Sequence, residues 1–288
     1  MTKYLLSTDS MRNLVLSNCR FDFEIFENLL EEFTKRGIFI YLNSEELCSP
    51  ELCEYIFGSG DSSTYLMKLL YNNKQILTYN HEDEENLVFI GFKSSGHNHI
   101  AEIHEFRDHL LQELISINQY ELFFEKLKIV FCEMVFMDYI VDKINCFDFS
   151  VSSNREIIAK HLFAICYNFQ DIYNDNKSSG SANAMNIFGS SNCISASCES
   201  DRELVRNHRT VKLINKKNID QTLELKFELH TKLDITNLHE RIYFNVGVDN
   251  IKGGSIIVAH IGRHLFDPNS GIRANFDTLP ETFLIDFD

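Results

Sequence analysis

The sequence predicts an α+β protein with a helix-rich, mixed α/β N-terminal domain and a small antiparallel β-sheet C-terminal domain. Three observations support this fold class. The 288 residues are 44% hydrophobic and 24% charged, which is typical of a globular chain. Apolar residues recur with helical spacing in most segments up to about residue 173, whereas beyond residue 200 they alternate with polar ones. Between these regions the chain is rich in Ser, Asn and Gly.

The N-terminal domain, residues 1–175, is expected to contain both helices and strands. Helical spacing ends at Gly37 in the first segment, and Pro50 follows Ser49 as a helix-start signal. The predicted helices are 21–37, 49–58, 63–73, 99–115, 120–144 and 154–173. The predicted strands are 38–42, 75–80 and 86–92. The segment 120–144 is apolar nearly all round, so we expect one central helix there.

A domain boundary is predicted at residues 176–200, which read as a long loop or linker. The C-terminal domain, residues 201–288, then has four strand candidates with a period of two. They are residues 209–214, 223–233, 241–246 and 255–261.

Charge is distributed unevenly along the chain. The net charge is −15, but residues 201–288 hold 12 Lys and Arg against 13 Asp and Glu, a net of −1. Residues 1–200 therefore carry −14, which favours a protein partner for the acidic domain. Within the C-terminal domain, residues 202–273 have 12 basic and 8 acidic residues, so RNA is the expected partner there.

We expect a cytoplasmic protein with no membrane partner. The most apolar run, residues 127–144, contains Lys128, Glu133, Asp138 and Asp142, a charge density that a bilayer core does not accept. The N-terminal residues lack the long apolar stretch of a signal peptide. Reduced thiols are expected for the eight cysteines, with Cys48, Cys53, Cys193 and Cys198 as an alternative zinc set of unusual spacing.

The candidate functional site is one face of the predicted C-terminal sheet. Because side chains alternate across a strand, polar residues of three strands are expected to share that face. The candidate catalytic residues are His230, Lys232, Arg241, Tyr243, His260 and His264. Ile256 and Val258 fall on the same side as His260, so the alternation of the last strand is imperfect. Glu199 and Ser200, at the end of the Ser-rich segment, are placed to fold over this face.

These residue types suit RNA cleavage without a metal or other cofactor. Such cleavage needs a base for the 2′-hydroxyl, an acid for the leaving 5′-oxygen, and cations for the phosphate charge. The stretch RIYFNV…SIIVAHIGRH resembles the last hairpin of the RelE/ParE-like bacterial toxins, over 25 to 60 residues. The pattern H-T-K…RIYF…IGRHL is also similar to uncharacterised proteins associated with phage defence. The resemblance implies a toxin-like effector acting on RNA, in a chain much longer and more acidic than those toxins.

Three alternatives remain open at the level of sequence. The polar face is also what a solvated antiparallel sheet presents. The protein is then a non-catalytic adaptor or scaffold in a multi-protein complex. A metal hydrolase is the third alternative, because His97 and His99 follow a predicted strand, and Glu105 and His109 share a face of the next helix.

Overall fold

The computed structural model has a mixed α+β fold, as the sequence predicts. It describes residues 2–6, 20–43, 50, 76–79, 87–91, 99–199, 207–236, 239–266 and 276–288. The chain divides into two compact units, Met1–Leu110 and Leu111–Asp288. This division differs from the predicted boundary at residues 176–200. The predicted helices 49–58 and 63–73 lie outside the described residues, apart from residue 50.

The N-terminal unit is built on a parallel sheet. Its elements are β1 (Lys3–Leu6), α1 (Arg20–Lys35), β2 (Ile40–Asn43), β3 (Ile76–Tyr79), β4 (Leu87–Ile90), β5 (His99–Ile100) and the start of α2 (Ile103–Ser116). The strand order is β3-β2-β1-β4-β5, and every neighbouring pair is parallel. Central strand β1 is buried, as is usual for parallel strands. Tyr4 of β1 packs edge-on against Phe33 of α1 and Phe106 of α2, which forms the aromatic core of this unit.

The predicted helix 120–144 is wrong as a single element. The chain instead forms α3 (Tyr120–Val130), a short strand β6 (Val135–Phe136) and α4 (Ile140–Ile144). The backbone amides of Val135 and Met137 donate to carbonyls of Ile256 and Val258, a distant strand. Tertiary pairing therefore overrides the helical propensity of this apolar run.

The interpretation of residues 176–200 as a loop or linker is also corrected. Helix α5 (Ser152–Asn176) is followed by a 3₁₀ turn, then α6 (Ser181–Ser191) and β7 (Ser195–Cys198). Helix α6 buries Ala184, Met185 and Phe188, so most of its few apolar residues face the core. Gly189 allows α6 to approach β7, since a Cβ there would lie 2.8 Å from the Ile194 carbonyl oxygen.

A five-stranded sheet carries the candidate site. Its strands are β6, β7, β10 (Leu229–Lys232), β11 (Arg241–Asn245) and β12 (Ile257–Gly262), in the order β6-β12-β11-β10-β7. The β12–β11, β11–β10 and β10–β7 pairs are antiparallel, and β6 pairs with β12 in parallel.

A second, three-stranded sheet completes the C-terminal unit. It consists of β8 (Thr210–Asn215), β9 (Asn218–Lys226) and β13 (Thr282–Ile285), in the order β13-β8-β9. The predicted single strand 223–233 is divided between β9 and β10, which belong to different sheets. Because β13 joins β8 in parallel, the predicted purely antiparallel C-terminal sheet is corrected to two mixed sheets. Among the described residues, no helix is long and apolar enough to span a membrane.

Candidate functional site

Strand register brings the predicted residues together on one face of the five-stranded sheet. His230 of β10 lies opposite Tyr243 of β11, which lies opposite His260 of β12. In the next row, Lys232 lies opposite Arg241, which lies opposite Gly262. Directly opposite residues point to the same side, so the shared face predicted from alternation is confirmed. Catalytic roles for these residues stay predictions.

An irregularity in the β11–β12 pair explains the imperfect alternation of the last strand. Tyr243 pairs with His260, but Phe244 pairs with Val258, so Ala259 is the extra residue of a β-bulge. The bulge moves Val258 to the side of Phe244, away from His260. Ile257, which pairs with Asn245, instead lies on the side of Tyr243.

The polar face is covered by other parts of the protein. His230 is 4% exposed, and Tyr243 and His260 are fully buried. A solvated sheet face does not fit this burial. Polar groups at such depth need hydrogen-bond partners, and the partners define two separate clusters.

The first cluster surrounds one carboxylate oxygen and is called the Glu199 cluster: Glu199, Arg209, His230, Tyr243 and His264. Glu199 directly follows β7, and its Oε1 atom accepts a 2.8 Å hydrogen bond from the Tyr243 hydroxyl. The same oxygen lies 3.7 Å from an Arg209 guanidinium nitrogen, 3.7 Å from His230 Nδ1 and 3.9 Å from His264 Nε2. Side chains from four separate segments therefore converge on one atom.

Arg209 is held rigidly in this cluster. Its guanidinium donates to the backbone carbonyls of Leu265 and Phe266, at 3.0 and 2.9 Å. It also lies 5.2 Å from the centre of the Tyr243 ring, in a cation–π contact. Because Arg209 is fully buried, its charge acts at short range in a weakly screened environment.

Hydrogen bonds indicate the tautomers of the two histidines. A carbonyl only accepts, so His264 Nδ1–H donates to the Leu265 carbonyl at 2.5 Å, which leaves Nε2 with a free lone pair. His230 likewise directs Nδ1–H to the Glu228 carbonyl at 3.2 Å, and its Nε2 accepts from the Ser197 hydroxyl at 2.7 Å. Both rings are thus consistent with neutral imidazoles.

Burial also favours the neutral forms of the two histidines and of Tyr243. It lowers the pKa of His230 well below its usual value, with Arg241 as the next cause. Burial also lowers the pKa of His264, opposed by its hydrogen bond to the Leu265 backbone. The pKa of Tyr243 is raised by burial and by the Glu199 carboxylate. Near neutral pH the cluster therefore holds neutral imidazoles and a protonated phenol.

His260 belongs to a second cluster, called the His260 cluster: Tyr139, Lys143, His260 and Asp277. His260 Nε2–H donates to the Arg263 carbonyl at 2.7 Å, and Nδ1 lies 3.3 Å from the Tyr139 hydroxyl. Asp277 lies 3.7 Å from His260 and 3.2 Å from the Lys143 ammonium. Burial lowers the pKa of His260 to about 4. Through its hydrogen bond to the Arg263 carbonyl, His260 stabilises the turn that precedes His264.

Lys232 and Arg241 lie side by side on the same face of the sheet. Like charges directly opposite in a sheet destabilise it. Among the described residues, neither side chain has an acidic partner within ion-pair distance, and the Arg241 Nε atom is buried without a hydrogen bond. Two cations in this arrangement favour a bound anion.

The alternative metal residues are only partly described. His97 lies outside the described residues, and the side chain of His99 is not described. Glu105 accepts the backbone amides of Ala101 and Glu102 at the start of α2, which is a helix-capping role. His109 packs edge-on against Tyr4. The described residues contain no group of three or more ligands placed to hold a metal ion.

The alternative cysteine set has a similar status. Cys193 is an exposed free thiol, Cys198 is half-buried, and Cys48 and Cys53 lie outside the described residues.

Sequence reasoning missed Arg209 and gave Glu199 only a tentative place. Glu199 does lie over the face, as expected, and Ser200 lies outside the described residues. Arg209 precedes a strand of the other sheet, so strand alternation alone does not connect it with His230. A fully buried arginine is recognisable only when its carbonyl partners in the 265–266 segment are known.

Comparisons with known proteins give no match: no family model, no curated protein and no solved structure is significantly similar to this chain.

Proposed function

We propose that the C-terminal unit binds RNA and cleaves it without a metal ion. The observation that carries this proposal is the Glu199 cluster, in which two neutral imidazoles, a phenol and a buried guanidinium surround one oxygen. Perturbed ionisable groups gathered from several elements are typical of functional sites. Lys232 and Arg241, which form no ion pair with the acidic residues that the structure describes, share the face and supply a phosphate-binding charge.

Each step of the reaction has a group to carry it. His264 Nε2, with its free lone pair, takes the proton of a ribose 2′-hydroxyl. The 2′-oxygen forms a bond to phosphorus, and the bond from phosphorus to the 5′-oxygen breaks. The Lys232 ammonium gives a proton to that leaving oxygen, while Arg241 and Arg209 stabilise the phosphorane charge. The products are a 2′,3′-cyclic phosphate and a 5′-hydroxyl, so protons and bonds balance.

Two features of the sequence support RNA as the substrate. The site, apart from Glu199, lies in residues 202–273, where 12 basic residues outnumber 8 acidic ones. The hairpin resembles that of RelE/ParE-like toxins, which act with similar side chains. A toxin-like role in bacterial defence against phage is part of the proposal, with the acidic residues 1–175 available to bind a regulatory protein.

The test is cleavage of end-labelled single-stranded RNA by the purified full chain in the presence of EDTA. We expect cleavage by the wild type to fall at least 100-fold in His264→Gln, a loss typical of removing a general base. Arg241→Gln is expected to weaken RNA binding and cleavage together. The matched controls are His104→Gln and Lys217→Gln, both at exposed positions and neither a member of the Glu199 cluster. Intact RNA with the wild type, or equal cleavage by His264→Gln, contradicts the proposal.

The second candidate function is a non-catalytic adaptor in a multi-protein complex. The observation that favours it is the complete burial of Tyr243 and His260, whose polar atoms already have partners inside the protein. Induced expression in bacteria separates the two functions. Growth arrest with RNA fragmentation, both abolished by His264→Gln at unchanged protein level, supports the ribonuclease. Co-purification of a stoichiometric protein partner, with RNA intact, supports the adaptor.

A further inference from the structure

We propose that the Glu199 carboxylate occupies the binding position of a phosphate oxygen, and that an RNA phosphodiester displaces it on binding. This inference rests on the proposed function and adds a regulatory element to the same site. The chain then carries its own competitor for the substrate phosphate.

The arrangement around Glu199 Oε1 is that of an anion-binding site. The Tyr243 hydroxyl donates a hydrogen bond, the Arg209 guanidinium supplies the positive charge, and the His230 ring lies 3.7 Å away, with its Nδ1–H bonded to the Glu228 carbonyl. All of these contacts are to one carboxylate oxygen. Preorganised donors on separate, rigid elements are how proteins bind the non-bridging oxygens of phosphates.

The charges of the two occupants match. A carboxylate and a phosphodiester each carry one negative charge shared by two terminal oxygens. Exchange of one for the other leaves the fully buried Arg209 neutralised, so no uncompensated charge remains in the interior. Lys232 and Arg241, which lack acidic partners among the described residues, provide further attraction for RNA.

Glu199 is placed so that its side chain leaves without unfolding the sheet. It directly follows β7, an edge strand, and its backbone amide donates to the Glu228 carbonyl at 2.9 Å. Rotation about the side-chain bonds therefore moves the carboxylate while this backbone pairing is kept. The side chain is 12% exposed and His264 is 17% exposed, which makes this the solvent-facing side of the cluster.

The reaction geometry agrees with an exchange of this kind. His264 Nε2, the proposed base, lies 3.9 Å from the oxygen that the phosphate would replace. A phosphodiester in that position brings its neighbouring 2′-hydroxyl next to the imidazole. As long as Glu199 remains in place, the base faces a carboxylate that has no proton to give.

The test is the affinity of Glu199→Gln for inorganic phosphate and for single-stranded RNA, measured by calorimetry and fluorescence anisotropy on the full chain. The glutamine carbonyl still accepts from Tyr243, but its lack of charge makes it a weaker competitor. We expect at least tenfold tighter binding of both ligands than in the wild type. Glu113→Gln is the matched control, because Glu113 is 17% exposed and paired with Lys126; its affinities are expected to equal those of the wild type.

The outcomes separate this inference from the proposed function. Tighter phosphate binding by Glu199→Gln without RNA cleavage by any form supports the exchange and contradicts the ribonuclease. Unchanged phosphate affinity contradicts the exchange, even if the wild type cleaves RNA. If circular dichroism shows that Glu199→Gln is unfolded, Glu199→Asp replaces it: the shorter carboxylate reaches the donors less well, and phosphate affinity must again rise.

Discussion

At the scale of single residues, the C-terminal unit keeps several histidines neutral by burial. His161 of α5 is an example outside the candidate site. It is 5% exposed, and burial lowers its pKa to about 4, with Lys160 lowering it further and Asp234 raising it. A neutral histidine of this kind affects the stability of the protein, because at low pH the unfolded chain binds a proton that the folded protein does not bind.

As the pH is lowered, we expect the free energy of unfolding of the wild type to decrease more steeply than that of His161→Phe. The unfolded histidine titrates near pH ~6.5 and the folded one near 4. Above pH ~6.5 the histidine therefore does not lower the stability of the folded protein. Between pH ~6.5 and about 4, each unit by which the pH is lowered costs about 1.4 kcal/mol of the free energy of unfolding. Urea unfolding at several pH values measures the slope.

His161→Gln is the control for this prediction. It also removes the titrating group but differs from His161→Phe in packing. Equal slopes in the two variants, whatever their absolute stabilities, assign the effect to titration. A wild-type slope equal to theirs contradicts the predicted neutral state of His161.

At the scale of elements, the parts of the fold that depend on local signals were predictable. Helix α5 was expected at 154–173 and is found at Ser152–Asn176, and strands β11 and β12 match within two residues. The errors occur where distant pairing decides the structure. Residues 135–136 form a strand because they pair with β12. Residues 195–198 form a strand because they pair with β10.

The candidate site divides in the same way between local and distant information. Alternation along the strands placed His230, Tyr243 and His260 on one face. It did not distinguish the Glu199 cluster from the His260 cluster, because that separation depends on which distant groups cover each histidine. Arg209 and Asp277 come from segments with no periodic relation to the hairpin, so the pattern contains no information on their positions.

The contact between α6 and β7 gives a prediction at this scale. In an isolated helix, Gly189→Ala is stabilising by about 1 kcal/mol. Here the added Cβ would lie 2.8 Å from the Ile194 carbonyl oxygen and 3.2 Å from Ala196 Cβ. We expect a net loss of roughly 1–3 kcal/mol in the free energy of unfolding, as for overpacked cores. Chemical denaturation of the purified variant measures it.

Asn186→Ala provides the comparison for Gly189→Ala. Asn186 is exposed on the same helix, so alanine there gains helix propensity without a clash. We expect this variant to be slightly more stable than the wild type. If Gly189→Ala is stabilised as well, the close approach of α6 to β7 is wrong.

At the scale of the whole molecule, the chain has two units whose division falls within α2. The C-terminal unit contains both mixed sheets and the complete Glu199 cluster. Its side of α2 contributes buried Leu114 and the Ile115 carbonyl, which accepts from the Arg155 guanidinium at 2.5 Å. The C-terminal unit thus begins inside a helix, far along the sequence from the Ser-rich segment where composition changes.

Two fragments test this division. We expect residues 101–288 to unfold cooperatively and to keep the phosphate affinity of the full chain. Residues 117–288, which lack Leu114 and the acceptor of Arg155, are expected to be less stable by about 2–5 kcal/mol, the usual effect of losing a large core side chain. Equal stability of the two fragments, measured by thermal and urea unfolding, contradicts the division within α2.

The parallel pairing of β6 with β12 has a consequence for synthesis of the protein. Val135 pairs with Ile257, so the ribosome must add 122 residues, from position 135 to position 257, before β6 has its neighbour. At about 5–20 residues per second this takes roughly 6–24 s. During that interval the nascent chain exposes the apolar edge that later closes the sheet. His264 is made after β12, so the Glu199 cluster is assembled only near the end of translation. Under the proposed function, incomplete chains would therefore not cleave RNA.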